Sequence, residues 1–405
     1  MLIQQDPPLH LTYCLNVHRG GTWNENLAAI RDKALAVRDR VSPGKPFGLG
    51  LRLSAQAAID LFLPEPRERA KAFFREHNVY PFTINGFPHG EFHRGRIKEQ
   101  VYAPDWQSAD RRDYTKRLAD ILADFLPDGA EGSVSTVPCS FKEWIRHDWE
   151  VEIMVRCLCD TVGHLADLRE RTGREIHVGL EPEPSCYLET TDETIAFFKN
   201  WLLTFGRDYL VWEKKWSPQQ AEEAIRRHLG VCFDTCHVAI QFEDLAQSLH
   251  RYESEGIRIS KVQISNAIQA APTPETCKAL EAFEDGTYLH QVKGRDAKTG
   301  RIRGWDDIWF AIRNPGELLD LDELRCHFHV PLFFEGNGPL RSTGPSLTPE
   351  FWRVLRRGTC KHIEIETYTF DVLPPEIRPP DIVESIAREY EWVLGKWTAG
   401  GGNEG

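Results

Sequence analysis

Eight short apolar segments recur along this 405-residue chain, and amphipathic segments separate them. The apolar segments are rich in Val, Ile, Leu and Phe, which is typical of strands that are covered on both faces. An alternation of such strands with helices predicts βαβ units and a parallel sheet, and eight units predict a closed (β/α)8 barrel, or TIM barrel. The predicted strands are Leu11–His18, Phe47–Ser54, Val79–Gly86, Gly132–Cys139, Ile176–Glu183, Leu229–His237, Ile259–Asn266 and His362–Thr369.

The segments between these strands place apolar residues at helical spacing. They are Asn24–Val41, Ala55–Leu63, Arg67–His77, Asp110–Leu126, Trp149–Arg171, Thr190–Leu203, Pro218–His228 and Asp381–Trp397. An open doubly wound sheet is the alternative architecture. The sequence after the first strand, HRGGT, lacks the G-x-G-x-x-G spacing of its phosphate-binding loop. We therefore predict a single barrel domain over residues 1–397, followed by a flexible Gly-rich tail over residues 398–405.

A long segment, residues 269–361, separates the seventh predicted strand from the eighth. It contains two further strand-like runs, Tyr288–Lys293 and His327–Phe334. We predict that this segment is an insertion that forms a small extra sheet over the mouth of the barrel.

Composition narrows the possible partners and locations. The formal net charge is −12, so the chain gains no general electrostatic attraction to nucleic acid. No segment approaches the length of about 20 apolar residues that a membrane span needs. The N-terminus lacks the basic and apolar regions of a secretory signal, which predicts a cytoplasmic protein. The ten cysteines show no recurring C-x-x-C spacing, so we expect reduced, buried thiols. A small-molecule metabolite is the expected partner, and the oligomeric state is left open.

Polar residues that end apolar runs are the candidates for chemistry, because a barrel carries its site at the carboxyl ends of its strands. The fifth strand ends in Leu-Glu-Pro-Glu-Pro, which places Glu181 and Glu183 on the same side of an extended chain. A buried carboxylate must be paired, protonated or bound to a metal. Solvated glutamates at the rim are the alternative interpretation.

The next three strands end in polar groups as well. Asp234 and His237 end the sixth strand and offer an oxygen and an imidazole, as Mg²⁺, Mn²⁺ and Zn²⁺ sites do; a helix cap is the alternative. Gln263 interrupts the apolar alternation of the seventh strand. Its side chain is interpreted either as a neutral metal ligand or as a group that makes a hydrogen bond across the barrel. On the eighth strand Glu364 and Glu366 share one face, and Glu366 is nearer the carboxyl end.

This series of residues on four successive strands resembles the metal shell of xylose-isomerase-like barrels, the sugar-phosphate isomerase/epimerase group. Over residues 11–395 the chain also resembles the Ebo-type metabolite traffic family (EboE). The matching segments are LTYCLNVH, FGLGLRLS, FTINGFPHGEFHRGRIKEQVYAPDW, LEPEPSCYLETTDE, GVCFDTCHVA and IEIETYTFDVLPP.

The resemblance implies that Glu181, Asp234, Gln263 and Glu366 bind one divalent cation, which would be Mn²⁺, Mg²⁺ or Zn²⁺. In the epimerase-like relatives the glutamates that correspond to Glu181 and Glu366 exchange a proton on opposite faces of the substrate, and the metal polarises the carbonyl. His237 is implied to contact a substrate oxygen or to orient Asp234. The catalytic residues implied are therefore Glu181, Glu366 and His237.

One position departs from the pattern of xylose isomerases proper, which have Glu-Pro-Lys-Pro on the fifth strand and use the lysine for a hydride shift. Glu183 stands at the lysine position here. The resemblance therefore implies proton transfer rather than hydride transfer. Further residues that the sequence offers for substrate binding are His18, Arg52, Asn85, His89, Lys142, Glu183, His290 and His329.

Three functions are compatible with this sequence. The first is a metal-dependent isomerase or epimerase that acts by proton transfer on a small sugar, polyol or related carbonyl metabolite, in a pathway of metabolite biosynthesis or traffic. The second is a non-catalytic metabolite-binding or carrier protein that retains the metal. The third is a metal-dependent phosphoesterase, which the acidic net charge and the single predicted metal shell disfavour.

Overall fold

The computed structural model describes residues 1–90, 98–284, 288–318 and 320–399. Eight parallel strands lie at the predicted places, although most end a few residues earlier than predicted. They are Leu9–Tyr13, Phe47–Arg52, Val79–Asn85, Gly132–Thr136, Ile176–Leu180, Leu229–Asp234, Arg258–Ile264 and His362–Ile365. We refer to them as the first to eighth barrel strands. Glu181, Glu183 and Glu366 thus lie just after their strands, whereas Asp234, Gln263 and Glu364 lie within theirs.

Strand pairing shows a (β/α)8 barrel. The barrel strands pair in parallel in the order first, eighth, seventh, sixth, fifth, fourth, third, second. A parallel bridge between Cys14 and Gly50 joins the first strand to the second and closes the cylinder. A glycine is needed there, because a Cβ atom on Gly50 would lie 2.3 Å from the Oε1 atom of Glu364. A short strand, Leu2–Gln4, pairs antiparallel with the first barrel strand.

Helices surround the barrel as the apolar spacing predicts. They are Trp23–Ala29 continuing through Ile30–Ala34 and Leu35–Val41, Ala55–Phe62, Pro64–Glu76, Ala109–Phe125, Asp148–Thr172, Thr191–Phe197 continuing through Phe198–Gly206 and Arg207–Lys214, Pro218–His228, Thr235–Ile240, Leu245–Ser254, Pro349–Arg356 and Ile382–Ala399. The last helix runs two residues beyond its predicted end. The rest of the predicted tail, residues 400–405, lies outside the described residues. Among those described, no helix is both long and apolar enough to cross a lipid bilayer.

The segment between the seventh and eighth barrel strands forms a second sheet, as predicted. Its antiparallel strands are Asn266–Ala270, Val292–Asp296, Ile302–Trp305, Leu321–Val330, Gly336–Asn337 and Leu340–Ser342. We call this the inserted sheet. Two helices, Pro274–Leu280 and Ile308–Arg313, contribute residues to its separate apolar core.

The predicted boundaries of the insertion need correction at both ends. Its first strand begins at Asn266, two residues after the seventh barrel strand ends. The helix Pro349–Arg356, predicted inside the insertion, packs with Phe351, Trp352, Val354 and Leu355 into the barrel core. Its apolar stripe therefore makes it a helix of the barrel, so the inserted sheet ends before it.

A candidate metal centre at the carboxyl ends of the strands

Three carboxylates from separate barrel strands converge at one mouth of the barrel. Glu181 follows the fifth strand, Asp234 ends the sixth, and Glu366 follows the eighth. One ligand atom from each lies within 4.8 Å of the other two, and all three side chains are buried. The parallel strands run in the same direction, so their carboxyl ends bring together residues that are far apart in sequence. We call this set the carboxylate cluster.

Asp234 is held in place by the helix that follows it. Its Oδ1 atom accepts hydrogen bonds from the backbone N–H groups of Cys236 at 2.7 Å and His237 at 3.2 Å. The hydroxyl of Ser265 donates to the same oxygen at 2.6 Å. These donors fix the carboxylate, as at other helix N-caps. Its second oxygen, Oδ2, has no hydrogen-bond partner among the described residues.

The two glutamates differ in their hydrogen bonds. The side-chain amides of Asn16 and Asn85 donate to the Oε1 atom of Glu366, at 2.8 and 3.4 Å. The Nδ1 atom of His329 lies 3.3 Å from the Oε2 atom of the same carboxylate. Within the described residues, Oε2 of Glu181 has no hydrogen-bond partner. Two buried carboxylate oxygens, one on Glu181 and one on Asp234, are therefore left without a donor.

Burial and mutual repulsion shift the proton affinities of the cluster. Burial, and after it the charge of Asp234, raises the pKa of Glu181 well above its usual value. Burial, and after it Glu181 and Asp234, does the same to the pKa of Glu366. For Asp234 burial acts in the same direction, but the nearby imidazoles and the Ser265 hydrogen bond outweigh it and lower its pKa. Several carboxylates this close cannot all be ionised without a positive charge among them.

The donor set fits a divalent cation. Unpartnered buried oxygens on Glu181 and Asp234 are costly unless something positive binds them. Carboxylate oxygens are the ligands that Mg²⁺ and Mn²⁺ prefer, and Zn²⁺ also accepts them. The cluster can therefore hold one such ion through Glu181, Asp234 and Glu366.

A small cavity of about 50 Å³ opens beside the cluster. Its polar lining includes Asn16, Asn85, Glu181, Glu183, His237, His327 and Glu366, and its aromatic lining includes Phe87, Tyr102, Tyr288 and Tyr368. Carboxylates and imidazoles with a few aromatic faces are typical of a site for a small polar molecule. The inserted sheet supplies His327, so the sheet forms part of the wall.

Two more predicted residues lie at this mouth. Glu183 is buried, and the hydroxyl of Tyr102 donates to its Oε1 atom at 3.1 Å. Burial raises the pKa of Glu183 to about 8. His237 is buried as well, with its Nε2 atom 3.9 Å from Oδ2 of Asp234, and burial lowers its pKa to about 4.

Gln263 lies inside the barrel in register with Asp234 and Glu364. Its amide oxygen accepts a hydrogen bond from the thiol of Cys232 at 3.0 Å. Its amide nitrogen has no hydrogen-bond partner among the described residues. A contact between Gln263 and a cation stays a prediction.

Six of the residues predicted to bind substrate lie outside the lining of this cavity: His18, Arg52, His89, Lys142, His290 and His329. His18 hydrogen-bonds the hydroxyl of Tyr13 at 2.9 Å, and the ring of His89 packs edge-on against Tyr114. The Nδ1 atom of His290 hydrogen-bonds the backbone oxygen of His327 at 2.8 Å.

Two of these six are cations with other partners. The guanidinium of Arg52 donates to the backbone oxygens of Gly20, Pro88 and Gly90, so it ties loops together. Lys142 pairs with Glu189 and Glu193, each at 2.8 Å. Both cations are therefore held by the protein itself.

Sequence reasoning missed two residues of the site. Asn16 is a polar residue just after the first barrel strand, a position that predicts a contact at the mouth. Tyr102 lies far from any barrel strand in sequence and gives no such signal. The HFH motif does indicate His327, because His327 shares strand parity with His329 and both side chains face one side.

No family model and no curated protein matches the chain. Three solved structures with similar folds are an IolI protein with a bound zinc atom, a 3-keto-D-glucoside 4-epimerase, YcjR, from E. coli, and a xylose isomerase domain protein from Alicyclobacillus acidocaldarius. Each is 12% identical to this chain, with TM-scores of 0.47, 0.43 and 0.44. The alignments cover 96, 96 and 97% of this chain and 99% of each structure. The strand pairing of the chain itself establishes the barrel.

Proposed function

We propose that this protein is a divalent-metal-dependent isomerase or epimerase that moves a proton on a small sugar, polyol or related carbonyl metabolite. One observation carries the proposal: Glu181, Asp234 and Glu366 meet within 4.8 Å at a buried mouth of the barrel. A cation bound there would polarise a substrate carbonyl and stabilise the negative charge that develops beside it.

Glu181 and Glu366 are the two groups we assign to proton transfer. Proton abstraction next to a carbonyl needs a base whose pKa lies near the working pH, and burial raises the pKa of both carboxyls. Asn16 and Asn85 orient Glu366 through its Oε1 atom. Because the two glutamates come from different strands, they can contact a substrate from two directions, as an epimerase requires.

Glu183 favours proton transfer over a hydride shift. It occupies the position where xylose isomerases proper have a lysine, so the fixed positive charge of that mechanism is missing at this position. Burial raises the pKa of Glu183 to about 8, and a nearby cation favours its ionised form at neutral pH.

Solvent exchange tests this proposal. The protein, loaded with Mn²⁺, is incubated in deuterium oxide with a panel of keto-sugars, and deuterium in the recovered sugar is measured by mass spectrometry. We expect incorporation at the carbon next to the carbonyl, lost in Glu366→Gln and kept in the surface control Glu143→Gln. No incorporation with any sugar, in protein that holds its metal, would contradict the isomerase.

The same experiment separates the alternative functions. Tight binding of a metabolite without exchange would favour a carrier, the role that the Ebo-type resemblance suggests. A phosphoesterase is favoured by one observation, the buried histidines His237, His327 and His329 beside the carboxylate cluster. Metal-dependent hydrolysis of a phosphodiester such as bis(p-nitrophenyl) phosphate would support that activity instead.

A further inference from the structure

We propose that His237, His327 and Glu183 form a second cation site, distinct from the carboxylate cluster and built jointly by the barrel and the inserted sheet. One ligand atom of each residue lies within 4.8 Å of the other two, and all three side chains are buried. Glu183 lies in the loop after the fifth barrel strand, and His237 lies in the helix Thr235–Ile240 after the sixth. His327 lies on the strand Leu321–Val330 of the inserted sheet.

The tautomer of His237 is fixed by its hydrogen bond to the backbone. Its Nδ1 atom lies 3.0 Å from the backbone oxygen of Pro182. A carbonyl oxygen can only accept, so Nδ1 must carry the proton and donate it. In the neutral ring the Nε2 atom then presents a lone pair, which is the form that binds metals.

The tautomer of His327 is fixed by Gln291. The side-chain nitrogen of Gln291 donates to the hydroxyl of Tyr102 and to the backbone oxygen of Pro184, both at 3.1 Å. Its side-chain oxygen therefore faces the Nδ1 atom of His327, 2.7 Å away, and accepts that proton. The Nε2 atom of His327 is consequently also a lone pair.

These two lone pairs point at one another. The Nε2 atoms of His237 and His327 lie 3.0 Å apart, with both Nδ1 protons already committed elsewhere. Two facing lone pairs repel unless a positive charge lies between or beside them. A proton would create an imidazolium buried away from water, which burial disfavours. A metal ion bound at about 2.0–2.1 Å from each nitrogen fits with a small spreading of the rings.

A third imidazole has the same hydrogen-bonding arrangement. The Nδ1 atom of His329 lies 2.8 Å from the backbone oxygen of Glu366, and its Nε2 atom has no hydrogen-bond partner among the described residues. Its ring centre lies 5.3 Å from that of His327 and 5.6 Å from that of His237. Three buried lone pairs so close together are typical of a metal-binding surface and not of a packed core.

The chemistry of this second site differs from that of the carboxylate cluster. Two imidazoles and one carboxylate are the ligands of many zinc sites that keep one position open, whereas oxygen ligands alone suit Mg²⁺ and Mn²⁺. We therefore assign Zn²⁺ or a similar transition metal to the site of His237, His327 and Glu183. The inference does not require the proposed isomerase reaction, because it rests on residues outside the carboxylate cluster.

Metal stoichiometry tests the second site. The wild-type protein, His327→Gln, Glu181→Gln and the surface control His250→Gln are stripped with a chelator, reloaded with Zn²⁺ and desalted, and bound zinc is measured by mass spectrometry. We expect two equivalents in the wild type and the control, and one in each of the other variants. Circular dichroism checks that each variant is folded.

The outcomes separate the two sites. If the wild type holds a single ion that Glu181→Gln removes and His327→Gln keeps, the second site is wrong and the carboxylate site stands. If it holds a single ion that only His327→Gln removes, the second site stands and the metal of the proposed function is wrong. Absorption spectroscopy at the zinc edge on the wild type needs no variant: two imidazole ligands on one zinc support the proposal, and their absence overturns it.

Discussion

The two mouths of the barrel differ in the charges that surround their carboxylates. At the amino-terminal mouth Glu131 accepts from Arg258 at 3.0 Å and from Lys361 at 2.6 Å, with His177 3.8 Å away. Burial opposes ionisation there, but these neighbours hold the pKa of Glu131 well below its usual range. At the carboxyl-terminal mouth three carboxylates face one another. Among the described residues no lysine or arginine pairs with them, and the basic side chains within 4.0 Å of them are those of His237 and His329.

The interior of the barrel resembles the amino-terminal mouth, because there too a lysine pairs with a carboxylate. Lys261 and Glu364 form a fully buried ion pair at 2.6 Å. The chain thus supplies cations to Glu131 at one mouth and to Glu364 in the interior. Among the described residues the carboxylate cluster receives no such cation, which supports a positive charge from outside the chain.

The largest effect we expect comes from breaking the interior pair. Lys261→Met leaves Glu364 charged and alone in the barrel, which should lower the free energy of unfolding by about 3–5 kcal/mol. Chemical denaturation of the two proteins measures it. The double variant Lys261→Met, Glu364→Leu is the control and should recover much of the loss. A loss below about 1 kcal/mol for the single variant would mean that the ion pair contributes little to the free energy of unfolding.

Metal removal should have the next largest effect. A ligand that binds only the folded state at 100 times its dissociation constant stabilises it by about 2.7 kcal/mol. We expect Mn²⁺ to raise the melting temperature of chelator-treated wild type and to leave that of Asp234→Asn unchanged. An equal response of both proteins would place the ion elsewhere.

Replacing one carboxylate at each mouth should change stability in opposite directions. In chelator at pH 7.5, Glu131→Gln removes the partner of Arg258 and Lys361 and should destabilise the protein by about 1–3 kcal/mol. Glu181→Gln removes a repelling charge from the carboxylate cluster and should leave stability unchanged or raise it by about 1 kcal/mol. Differential scanning calorimetry gives both values. A loss for Glu181→Gln as large as that for Glu131→Gln would remove the contrast between the mouths.

The smallest effect concerns a carboxyl behind the site that has only neutral partners. Glu389 accepts from the hydroxyl of Thr367 at 2.7 Å and the backbone N–H of Leu332 at 3.1 Å, and burial raises its pKa to about 7. Between the ordinary pKa of about 4.5 and this value the unfolded chain loses the proton that the folded chain keeps. Stability should therefore fall as the pH rises from 5 to 7 and stay level above 7.

The variant Glu389→Gln keeps an accepting oxygen but cannot ionise. It should raise the melting temperature at pH 8, by the equivalent of about 1 kcal/mol, and change it little at pH 4.5. Thermal melts of both proteins across this range provide the test. A benefit that is the same at every pH would show that ionisation of Glu389 is not its source.

The barrel itself was predictable because its strands are buried on both faces. Runs such as Gly132–Thr136 and Ile176–Leu180 must be apolar along their length, and that signal is local. The carboxylate cluster was predictable for a related reason: Glu181, Asp234 and Glu366 are polar residues at the ends of apolar runs. The topology of a parallel barrel then brings those ends together.

The contribution of the inserted sheet was not predictable in the same way. The strand Leu321–Val330 was visible only in part, and nothing local says that it crosses the mouth with His327 and His329 facing the site. Arg52 shows the converse case. A cation at the end of a barrel strand is expected to bind substrate. The guanidinium of Arg52 instead donates hydrogen bonds to backbone oxygens of neighbouring loops. Long-range loop packing decides both cases.

A crystal structure of the protein loaded with Mn²⁺, with anomalous diffraction recorded, tests most directly whether the carboxyl-terminal mouth owes its charge balance to a bound cation. We predict an anomalous peak within about 2.0–2.3 Å of carboxylate oxygens from Glu181, Asp234 and Glu366. A peak elsewhere in the molecule, or no peak with the three carboxylates in the positions described, would contradict the account.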